Sequence, residues 1–424
     1  MRLISDLTLA TKPTIAMDAG VPDSKKATPE TSRVPLSELE LAYMNNPIVF
    51  NSVNKMVQAI MSSDHYIYTK DQKVADYFIN FTEQLGTKGS NLTWEELLEE
   101  IFRNQIIFGR SFVENIYSKR VKDMIVDWDI ISTTSMDYAK DKNENIIQDK
   151  YGNPIGYVQT LPVNYTGEVN DQIPENVRLP SGNKHVYLES KQVAHMKLCN
   201  IGNGFYPLGL VEPIYYVALR HLNVDKAYAN SLWRRGFPTL WAKIGDLNHE
   251  PNPQQIHTML EKLKSMNNKT EIATPYFYEL NEMKGADMTD SAESINYFIN
   301  EIVAGMGIPE PFATGKGSNT SYSTLAKMDA LFHFTLKSLV NKTVNSIRRQ
   351  MFKPICDKMG FKEVPTIRWD VLSEDMLDKK SRRLERYARS GILTTEDIAK
   401  VSEFLMRIEN LGEYDKPTGE RGPR

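Results

Sequence analysis

The chain has 424 residues, 41% of them hydrophobic and 25% charged, and a formal net charge of only -3. This balance argues against a general nucleic-acid coat and against a membrane-surface protein. The length allows two or three domains, or one elongated protomer of several parts. The two cysteines, Cys199 and Cys356, lie far apart without a neighbouring Cys/His pattern, so we expect neither a disulfide framework nor a Cys-based zinc site. The first residues contain no apolar core long enough for a signal peptide, and we expect synthesis in the cytosol.

The first half of the chain alternates between helical and strand patterns, which predicts an α+β architecture. Residues 1–35 show little periodicity and are predicted to be a flexible arm. One helix is predicted from Asn46 with Pro47 in its first turn, and another from Thr93 to Gly109, opened by a capping box. The predicted strands span 111–117, 121–131, 186–188 and 193–197. The polar segment 161–184 between them is predicted to be an exposed loop.

The middle of the chain contains two predicted helices that flank a small αβ module. The first helix has Pro213 in its first turn and ends at Arg234-Arg235-Gly236, where positive charge complements the helix dipole. The second helix runs from Asp290 to Met306. The module between them is predicted to contain strands over 239–245 and 275–280 and a helix that starts at Pro253.

The longest periodic pattern runs from Ser321 to Met359, where apolar residues return at steps of three and four. It predicts one helix of about 55 Å, with Pro354 as its only internal breaker. Charged residues interrupt any apolar span, which excludes a membrane helix, and no strict heptad supports a coiled coil. A strand over 364–372 and two further helices are predicted to follow.

The glycine-containing loop before this long helix is the first candidate for a phosphate site. A P-loop requires a glycine five positions before its Gly-Lys pair and a Ser or Thr after the lysine. Here Glu310 occupies the first position and Gly317 follows Lys316. The mismatch argues against a nucleotide site.

The sequence gives less support to the other candidate metal-binding or catalytic residues. Asp141 begins a calcium-loop-like run, but Ile146 and Gly152 stand where a glycine and a bidentate glutamate are needed, so a surface hairpin turn is predicted. Asp127 and Asp129 share one face of a strand and are predicted to lie on a solvated edge rather than to bind a metal. The seven histidines show no zinc-site spacing, and no nucleophile elbow occurs. We predict no catalytic residue, no metal and no cofactor.

A basic cluster lies near the C-terminus on a predicted helix. It includes Lys379, Lys380, Arg382, Arg383 and Arg386. Such a cluster usually forms a solvated face with i,i+4 partners. Contact with nucleic-acid phosphates is the alternative.

Three segments occur in an order and spacing that resemble the portal proteins of tailed bacteriophages, the head-to-tail connectors through which DNA is packaged. They are residues 94–117, which include Gly109-Arg110-Ser111-Phe112-Val113-Glu114; residues 206–213, Tyr-Pro-Leu-Gly-Leu-Val-Glu-Pro; and Gly307-Ile308-Pro309-Glu310-Pro311-Phe312, which leads to Asn319-Thr320-Ser321-Tyr322-Ser323. The resemblance extends from about Asn45 to Leu411.

The resemblance implies an α+β, elongated portal protomer with wing, stem, clip and crown parts and one very long helix, assembling into a ring. The implied parts are a flexible arm at 1–35, wing at 36–205, stem helix at 206–236, clip at 237–289, second stem helix at 290–313, tunnel loop at 314–323, long wing helix and strand at 324–372, helical crown at 373–411 and disordered tail at 412–424.

The resemblance also implies a function. The chain would form a homo-oligomeric ring, with a dodecamer expected, at a capsid vertex of the virion, assembled in the host cytoplasm. Double-stranded DNA would be packaged and ejected through its channel without sequence readout. Terminase, head-tail adaptors and the major capsid and scaffolding proteins would be partners, and no membrane would be involved. The residues implied to contact DNA from the tunnel loop are Lys316, Gly317, Ser318, Asn319, Thr320 and Ser321. A DNA-processing enzyme, a nuclease or an ATPase with a helical strut, remains the alternative.

Overall fold

The computed structural model describes most of the chain between Val34 and Trp369. The described residues are 34–86, 92–163, 173–179, 184–202, 204–236, 240–245, 250–265, 278–282, 291–315 and 322–369, together with Arg382 and Arg386. No helix among them has an apolar stretch long enough to cross a bilayer.

Helices and strands are mixed along the whole described chain, as the α+β prediction requires. The helices are α1 (Leu36–Asn45), α2 (Pro47–Met61), α3 (Gln72–Glu83), α4 (Trp94–Phe108), α5 (Val211–Gly236), α6 (Pro253–Ser265), α7 (Ser291–Met306), α8 (Glu310–Thr314), α9 (Tyr322–Ile347) and α10 (Lys353–Met359). The strands are β1 (His65–Tyr68), β2 (Arg110–Tyr117), β3 (Ile125–Ile131), β4 (Met136–Tyr138), β5 (Gly156–Thr160), β6 (His185–Glu189), β7 (Val193–Lys197), β8 (Leu240–Ile244), β9 (Tyr278–Glu282) and β10 (Thr366–Trp369).

The chain divides into two compact units. Among the described residues, the smaller unit lies within 214–302, and the larger unit lies within 34–213 and 303–369. The backbone therefore leaves the larger unit after Pro213 and returns to it at Val303. These two crossings mark the ends of the small αβ module and its flanking helices.

Helix starts in the larger unit follow local capping chemistry. Asn46 caps α2, because its side-chain oxygen accepts hydrogen bonds from the N–H groups of Ile48 and Val49 at 3.0 and 3.3 Å. Thr93 and Glu96 form the predicted capping box of α4, and Gly109 ends that helix with a left-handed φ of 77°. The start of α2 near Asn46, the capping box of α4 and the end of α4 at Gly109 were predicted from the sequence.

Two three-stranded antiparallel sheets form the β part of the larger unit. One has the order β3-β2-β7 and the other β4-β5-β6. In the first sheet Phe112 of β2 lies opposite Ile131 on one side and His195 on the other. A separate pair joins β1 to β10, although these strands are about three hundred residues apart in the chain.

Aromatic side chains join α3, α4, β3 and the end of the long helix in one buried cluster. Phe78 and Phe352 have ring centroids 4.9 Å apart, and Trp128 lies 4.7 Å from Phe81 and 5.9 Å from Phe352. Phe78, Trp128 and Phe352 are almost completely buried. Burying side chains of this size is among the largest single contributions to a core, about 2–3 kcal/mol each.

The predicted long helix is confirmed and contains one irregular turn. α9 continues through a π-helical turn at Arg348–Phe352 into α10, which ends at Gly360 with a left-handed φ of 74°. Pro354 has no N–H group, so the carbonyl of Gln350 loses its ordinary i+4 donor at this turn. The Asn115 side chain lies 3.4 Å from that carbonyl and donates to it instead. A local helix irregularity is therefore compensated by a strand residue.

The smaller unit contains the predicted αβ module. β8 and β9 pair antiparallel, with Lys243 opposite Glu279 and their charged groups 3.7 Å apart. On α6, Met259 is buried, while Ile256 and Leu260 are about half exposed. The second strand ends at Glu282 rather than at the predicted Leu280.

Several boundaries differ from the predictions. Val34 is buried and Pro35 precedes α1, so the folded region begins before the predicted end of the arm. β3 starts at Ile125 rather than residue 121, because Asp123 turns the chain with a φ of 57°. Helices α1 and α3 were not predicted. Residues 1–33, the crown apart from Arg382 and Arg386, and the tail lie outside the described residues.

Two predicted surface features are partly wrong. The described part of the 161–184 segment is not simply an exposed loop, because Val177 packs against Ala139 and Val158 and the Arg178 N–H donates to the Lys140 carbonyl at 2.8 Å. Asp127 is not on a solvated edge: its side chain is 1% exposed and accepts a hydrogen bond from the Trp128 N–H at 3.0 Å. β3 is covered at this position although it is the outer strand of its sheet.

Candidate functional site

Two of the segments that resemble portal proteins meet at a close backbone crossing. We call this crossing, residues 106–110 and 206–210, the first joint. A Cβ atom on Gly109 would lie 2.4 Å from the Leu208 carbonyl carbon, and one on Gly209 would lie 2.4 Å from the Ile107 oxygen. Contacts this short leave room only for hydrogen, so both positions require glycine.

Backbone hydrogen bonds hold the first joint on both sides. The Leu210 N–H donates to the Ile106 carbonyl, and the Leu198 N–H donates to the Gly109 carbonyl, each at 2.8 Å. The Leu208 N–H donates to the Cys199 carbonyl at 2.8 Å. The end of α4 therefore fixes the segment that begins α5, immediately before the chain leaves the larger unit.

A buried polar cluster lies beside the first joint. The guanidinium of Arg110, only 4% exposed, lies 5.5 Å from the Phe112 ring centroid and 5.3 Å from that of Tyr206. The Tyr206 hydroxyl donates to Asp137 at 2.8 Å, and Lys140 donates to the same carboxylate at 2.6 Å. Burial, followed by the nearby Asp137 carboxylate, raises the pKa of Tyr206 to about 12. The tyrosine thus stays a neutral donor that ties the 206–210 segment to β4.

His195 lies at the centre of this region. Its ring stacks on Phe112 with centroids 4.3 Å apart, and its Nδ1 lies 3.2 Å from the Tyr157 hydroxyl and 3.4 Å from the Tyr138 hydroxyl. Within the described residues its Nε2 has no hydrogen-bond partner. Burial first, then the positive charges of Lys197 and Arg110, lower the pKa of His195 well below its ordinary value. The ring is therefore neutral in the folded protein.

The C-terminal half of the long helix is bound to this region at three points. The Gln350 side chain accepts from the His195 N–H at 2.8 Å and donates to the His195 carbonyl at 2.9 Å, so it pairs with β7 as a neighbouring strand would. Thr343 donates to the Gln105 side chain at 2.7 Å. Lys342 donates to the Leu198 carbonyl at 3.3 Å.

The third resemblance segment forms what we call the second joint, residues 307–315. Asn51 of α2 donates to the carbonyl of Ala313 at 2.6 Å, and Phe312 contacts Phe332 of α9 with centroids 5.9 Å apart. Gly315 ends α8 with a left-handed φ of 71°. The second joint follows the return of the chain to the larger unit and leads directly to residue 316.

The predicted loop residues Lys316, Gly317, Ser318, Asn319, Thr320 and Ser321 lie outside the described residues, as do Lys379, Lys380 and Arg383. Arg382 and Arg386 are helical and exposed, and the Arg386 Nε donates to the Arg382 carbonyl at 3.3 Å, one turn away. The structure describes what precedes and follows the loop, namely Gly315 and the first turn of α9.

The carboxylates considered as metal ligands take part in hydrogen bonds within the fold. The Asp141 carboxylate accepts hydrogen bonds from the N–H groups of Asn143 and Asn145 at 2.8 and 2.9 Å, which confirms a hairpin turn. In the part of the chain that the structure describes, no three His, Cys, Asp or Glu side chains are grouped to hold a metal ion.

Sequence reasoning missed the side chains that hold the joints. Arg110 lies inside a quoted segment, but its burial could not be read from its neighbours. Gln350 and Asn51 lie among the polar residues of helices, where nothing in the local pattern distinguishes a half-buried side chain that binds a neighbouring element from a solvated one. Only Gly109 and Gly209 gave a usable signal.

Two solved structures with a similar fold come from gene transfer agent (GTA) particles. A chain in the neck of an empty GTA particle computed with C6 symmetry matches with a TM-score of 0.61 and 13% identity, covering 87% of this chain and 93% of that chain. A chain in the neck of a native GTA particle computed with C12 symmetry matches with a TM-score of 0.59 and 14% identity, covering 86% and 92%. At these identities the likeness is one of fold.

A comparison of the sequence with models of protein families shows the family of this chain. The family model described as the portal protein of Mu bacteriophage matches residues 39–403. The chain belongs to this family, and its function is that of a portal protein, the channel component at the head-tail connection of a virion. A search of curated protein sequences gave no match.

Proposed function

We propose that copies of this chain close into a ring, with a dodecamer expected, and that double-stranded DNA passes through its central channel during packaging and ejection. The observation that carries the proposal is the match of residues 39–403 to the portal family. The C12 symmetry of a GTA neck containing a chain of the same fold supports the expected copy number. A ring of identical subunits supplies the channel geometrically, without bond chemistry in the chain itself.

The parts of the protomer are assigned from the resemblance to the portal family. Residues 206–236 and 290–313 are proposed as the stem helices, residues 237–289 as the clip, and residues 36–205 with 324–372 as the wing. The departure of the chain after Pro213 and its return at Val303 support this assignment. The two joints then fix the points at which stem helices begin and end.

Residues 316–321 are proposed to line the channel. Asn51 and Phe332 hold α8 before this loop, and α9 follows it, so described elements anchor the loop at both ends. Lys316 would meet DNA phosphates, and the hydroxyl and amide groups of Ser318, Asn319 and Thr320 would contact them without reading bases. The near-neutral chain suits a channel, because tight binding would oppose translocation.

Lys316→Ala is expected to lower the yield of DNA-filled particles about tenfold while rings still form, because every subunit loses one phosphate-facing charge. The measurement is the ratio of filled to empty particles by electron microscopy. Lys150→Ala, which removes an exposed lysine from a hairpin turn, is the matched control and should package normally. Normal packaging by Lys316→Ala would remove Lys316 from the mechanism.

Docking partners are proposed from the same assignment. The clip would contact terminase and head-tail adaptors, the wing would meet major capsid and scaffolding proteins, and the basic cluster at 379–386 would lie in a helical crown. ATP hydrolysis would belong to terminase, in keeping with the mismatch of the glycine loop to a P-loop.

The experiment that tests the proposed function is negative-stain electron microscopy of the purified chain. The expected images show rings with a central hole. A strictly monomeric particle at high concentration and within capsids would refute the ring. Nuclease or ATPase activity that is abolished by a single acidic substitution would instead favour a DNA-processing enzyme.

A further inference from the structure

The long helix α9 carries apolar side chains on a face that the larger unit leaves uncovered. Its inward face, at Phe332, Leu336, Val340 and Val344, is buried in the larger unit. On the outward side, Met328, Leu331 and Phe334 are 40, 67 and 59% exposed. We call these three residues the α9 patch. Exposed aliphatic and aromatic side chains at such spacing indicate a surface that another protein covers.

The apolar outward residues are confined to the N-terminal half of α9. Further along the same helix the exposed positions are polar, at Ser338, Asn341 and Asn345. Side-chain hydrogen bonds from Thr343 and Lys342 also attach the C-terminal half to the larger unit. The exposed residues of the helix therefore change along its length, from a mixture rich in large apolar side chains, which also includes Lys327 and Thr335, to polar ones.

This gradient fits a helix that points outward in a closed ring. The arc available to each subunit grows with distance from the axis, so neighbouring copies crowd each other most closely near the channel. The N-terminal end of α9 follows directly from the proposed channel loop, so it would be the crowded inner end. An apolar outer surface there and a polar one farther out match that arrangement, and the occupant is thus a second copy of this chain.

A ring also requires a second, different patch on each subunit, because its interfaces are head-to-tail. In the described part of the larger unit, α1 and the start of α2 carry such a patch: Leu41, Met44 and Phe50 are 49, 64 and 48% exposed. We call these residues the α1–α2 patch. Phe50 stacks on Tyr43 with centroids 5.2 Å apart, which fixes its ring at the surface.

Both patches belong to one packed framework. Asn51, next to Phe50, donates to the Ala313 carbonyl of α8, and α8 contacts α9 through Phe312 and Phe332. A subunit can therefore present the two patches in a fixed relation. We infer that the α9 patch of one copy packs against the α1–α2 patch of the next copy in the ring, an inference that rests on the proposed ring.

Introducing opposite charges into the two patches tests whether they contact each other. Leu331→Glu and Met44→Lys each place one unpaired charge in the apolar contact, and each is expected to lower the fraction of chain in rings at least about tenfold. The double variant pairs the two charges across the interface and is expected to recover most of the rings. Light scattering after size-exclusion chromatography, with negative-stain images, measures the ring fraction.

The two substitutions suit the helices that carry them, so loss of rings would not reflect misfolding. The glutamate introduced by Leu331→Glu would lie four residues after Lys327. The lysine introduced by Met44→Lys would lie four residues after Glu40, near the C-terminal end of α1. Tyr151→Glu, at a side chain 76% exposed in a hairpin turn, is the matched control and should leave rings unchanged. The circular dichroism spectrum at 25 °C should match that of the parent for all variants, because the fold of each subunit is unchanged.

The outcomes separate this inference from the proposed function. If the unmodified chain forms no rings, the proposed function itself is wrong. If it forms rings and Leu331→Glu forms them equally well, only the α9 interface is overturned. If both single variants lose rings and the double variant does not recover them, the α9 patch does not face the α1–α2 patch.

Discussion

Gly209→Ala is expected to lower the free energy of unfolding by about 3 kcal/mol, because the added methyl group would meet backbone atoms rather than a movable side chain. Its Cβ would lie 2.4 Å from the Ile107 oxygen and 2.6 Å from the Gly109 nitrogen. The two segments would have to separate, and the hydrogen bond from Leu210 to Ile106 would weaken with them. Chemical denaturation followed by circular dichroism measures the loss.

Gly202→Ala is the matched control for this prediction. Gly202 has a left-handed φ of 60° and no atom within 4 Å of an added Cβ, so the substitution costs only backbone strain, about 1 kcal/mol. Gly109→Ala combines both penalties, since its φ is 77° and its Cβ would clash with Leu208. Equal stability losses for Gly209→Ala and Gly202→Ala would contradict the close crossing at the first joint.

His195→Gln is expected to remove part of the acid sensitivity of the fold. In the parent, the native pKa of His195 lies well below its ordinary value of 6.5. As the pH falls below 6.5, the unfolded chain takes up a proton at this histidine and the folded chain does not. Stability therefore falls by about 1.4 kcal/mol per pH unit from this group alone, until the pH reaches the native pKa. Glutamine has no such titration and keeps a polar group for Tyr138 and Tyr157.

The measurement for His195 is the free energy of unfolding of parent and variant at pH 7.5, 6.5 and 5.5. Carboxylates elsewhere titrate in both proteins, so their effects cancel in the difference. Substitution of the exposed His257 by glutamine controls for the loss of one histidine. Parallel pH profiles for parent and His195→Gln would show that the ring of His195 is not held neutral by the fold.

Helix starts and ends that depend on a few neighbouring residues could be predicted from the sequence. The Thr93–Glu96 capping box, the helix start at Asn46 and Pro47, and the helix end at Gly109 each depend on a few neighbouring positions, and each occurs where predicted. The long helix followed from its periodicity alone. Helix α3 was missed although Val74, Ala75 and Phe78 form its buried side, because its mixed polar sequence gives a short pattern.

Features that depend on distant residues could not be predicted. Pro354 was identified as a helix breaker. The hydrogen bond from Asn115 to the Gln350 carbonyl and the hydrogen bonds between Gln350 and His195 could not be predicted, because they join residues more than a hundred positions apart. Likewise, nothing near Asp127 indicated burial. The loop residues Lys316 to Ser321 and the basic residues Lys379, Lys380 and Arg383 remain predictions, because they lie outside the described residues.

The fold shows what the three segments that resemble portal proteins contact. Gly109 and Gly209 allow two backbones to cross at the first joint, and Phe312 anchors the second joint on α9. Both joints adjoin the positions at which the chain passes between its two units. Each segment therefore has contacts within the larger unit that its local sequence did not reveal.

The most direct test of the central claim, a closed ring with residues 316–321 at the channel, is a cryo-electron microscopy reconstruction of the purified assembly. We predict a closed ring in which Lys316 faces the axial channel and the N-terminal half of α9 contacts the neighbouring copy. A reconstruction in which the chain is monomeric, or in which the loop faces the outside of the ring, would contradict the account.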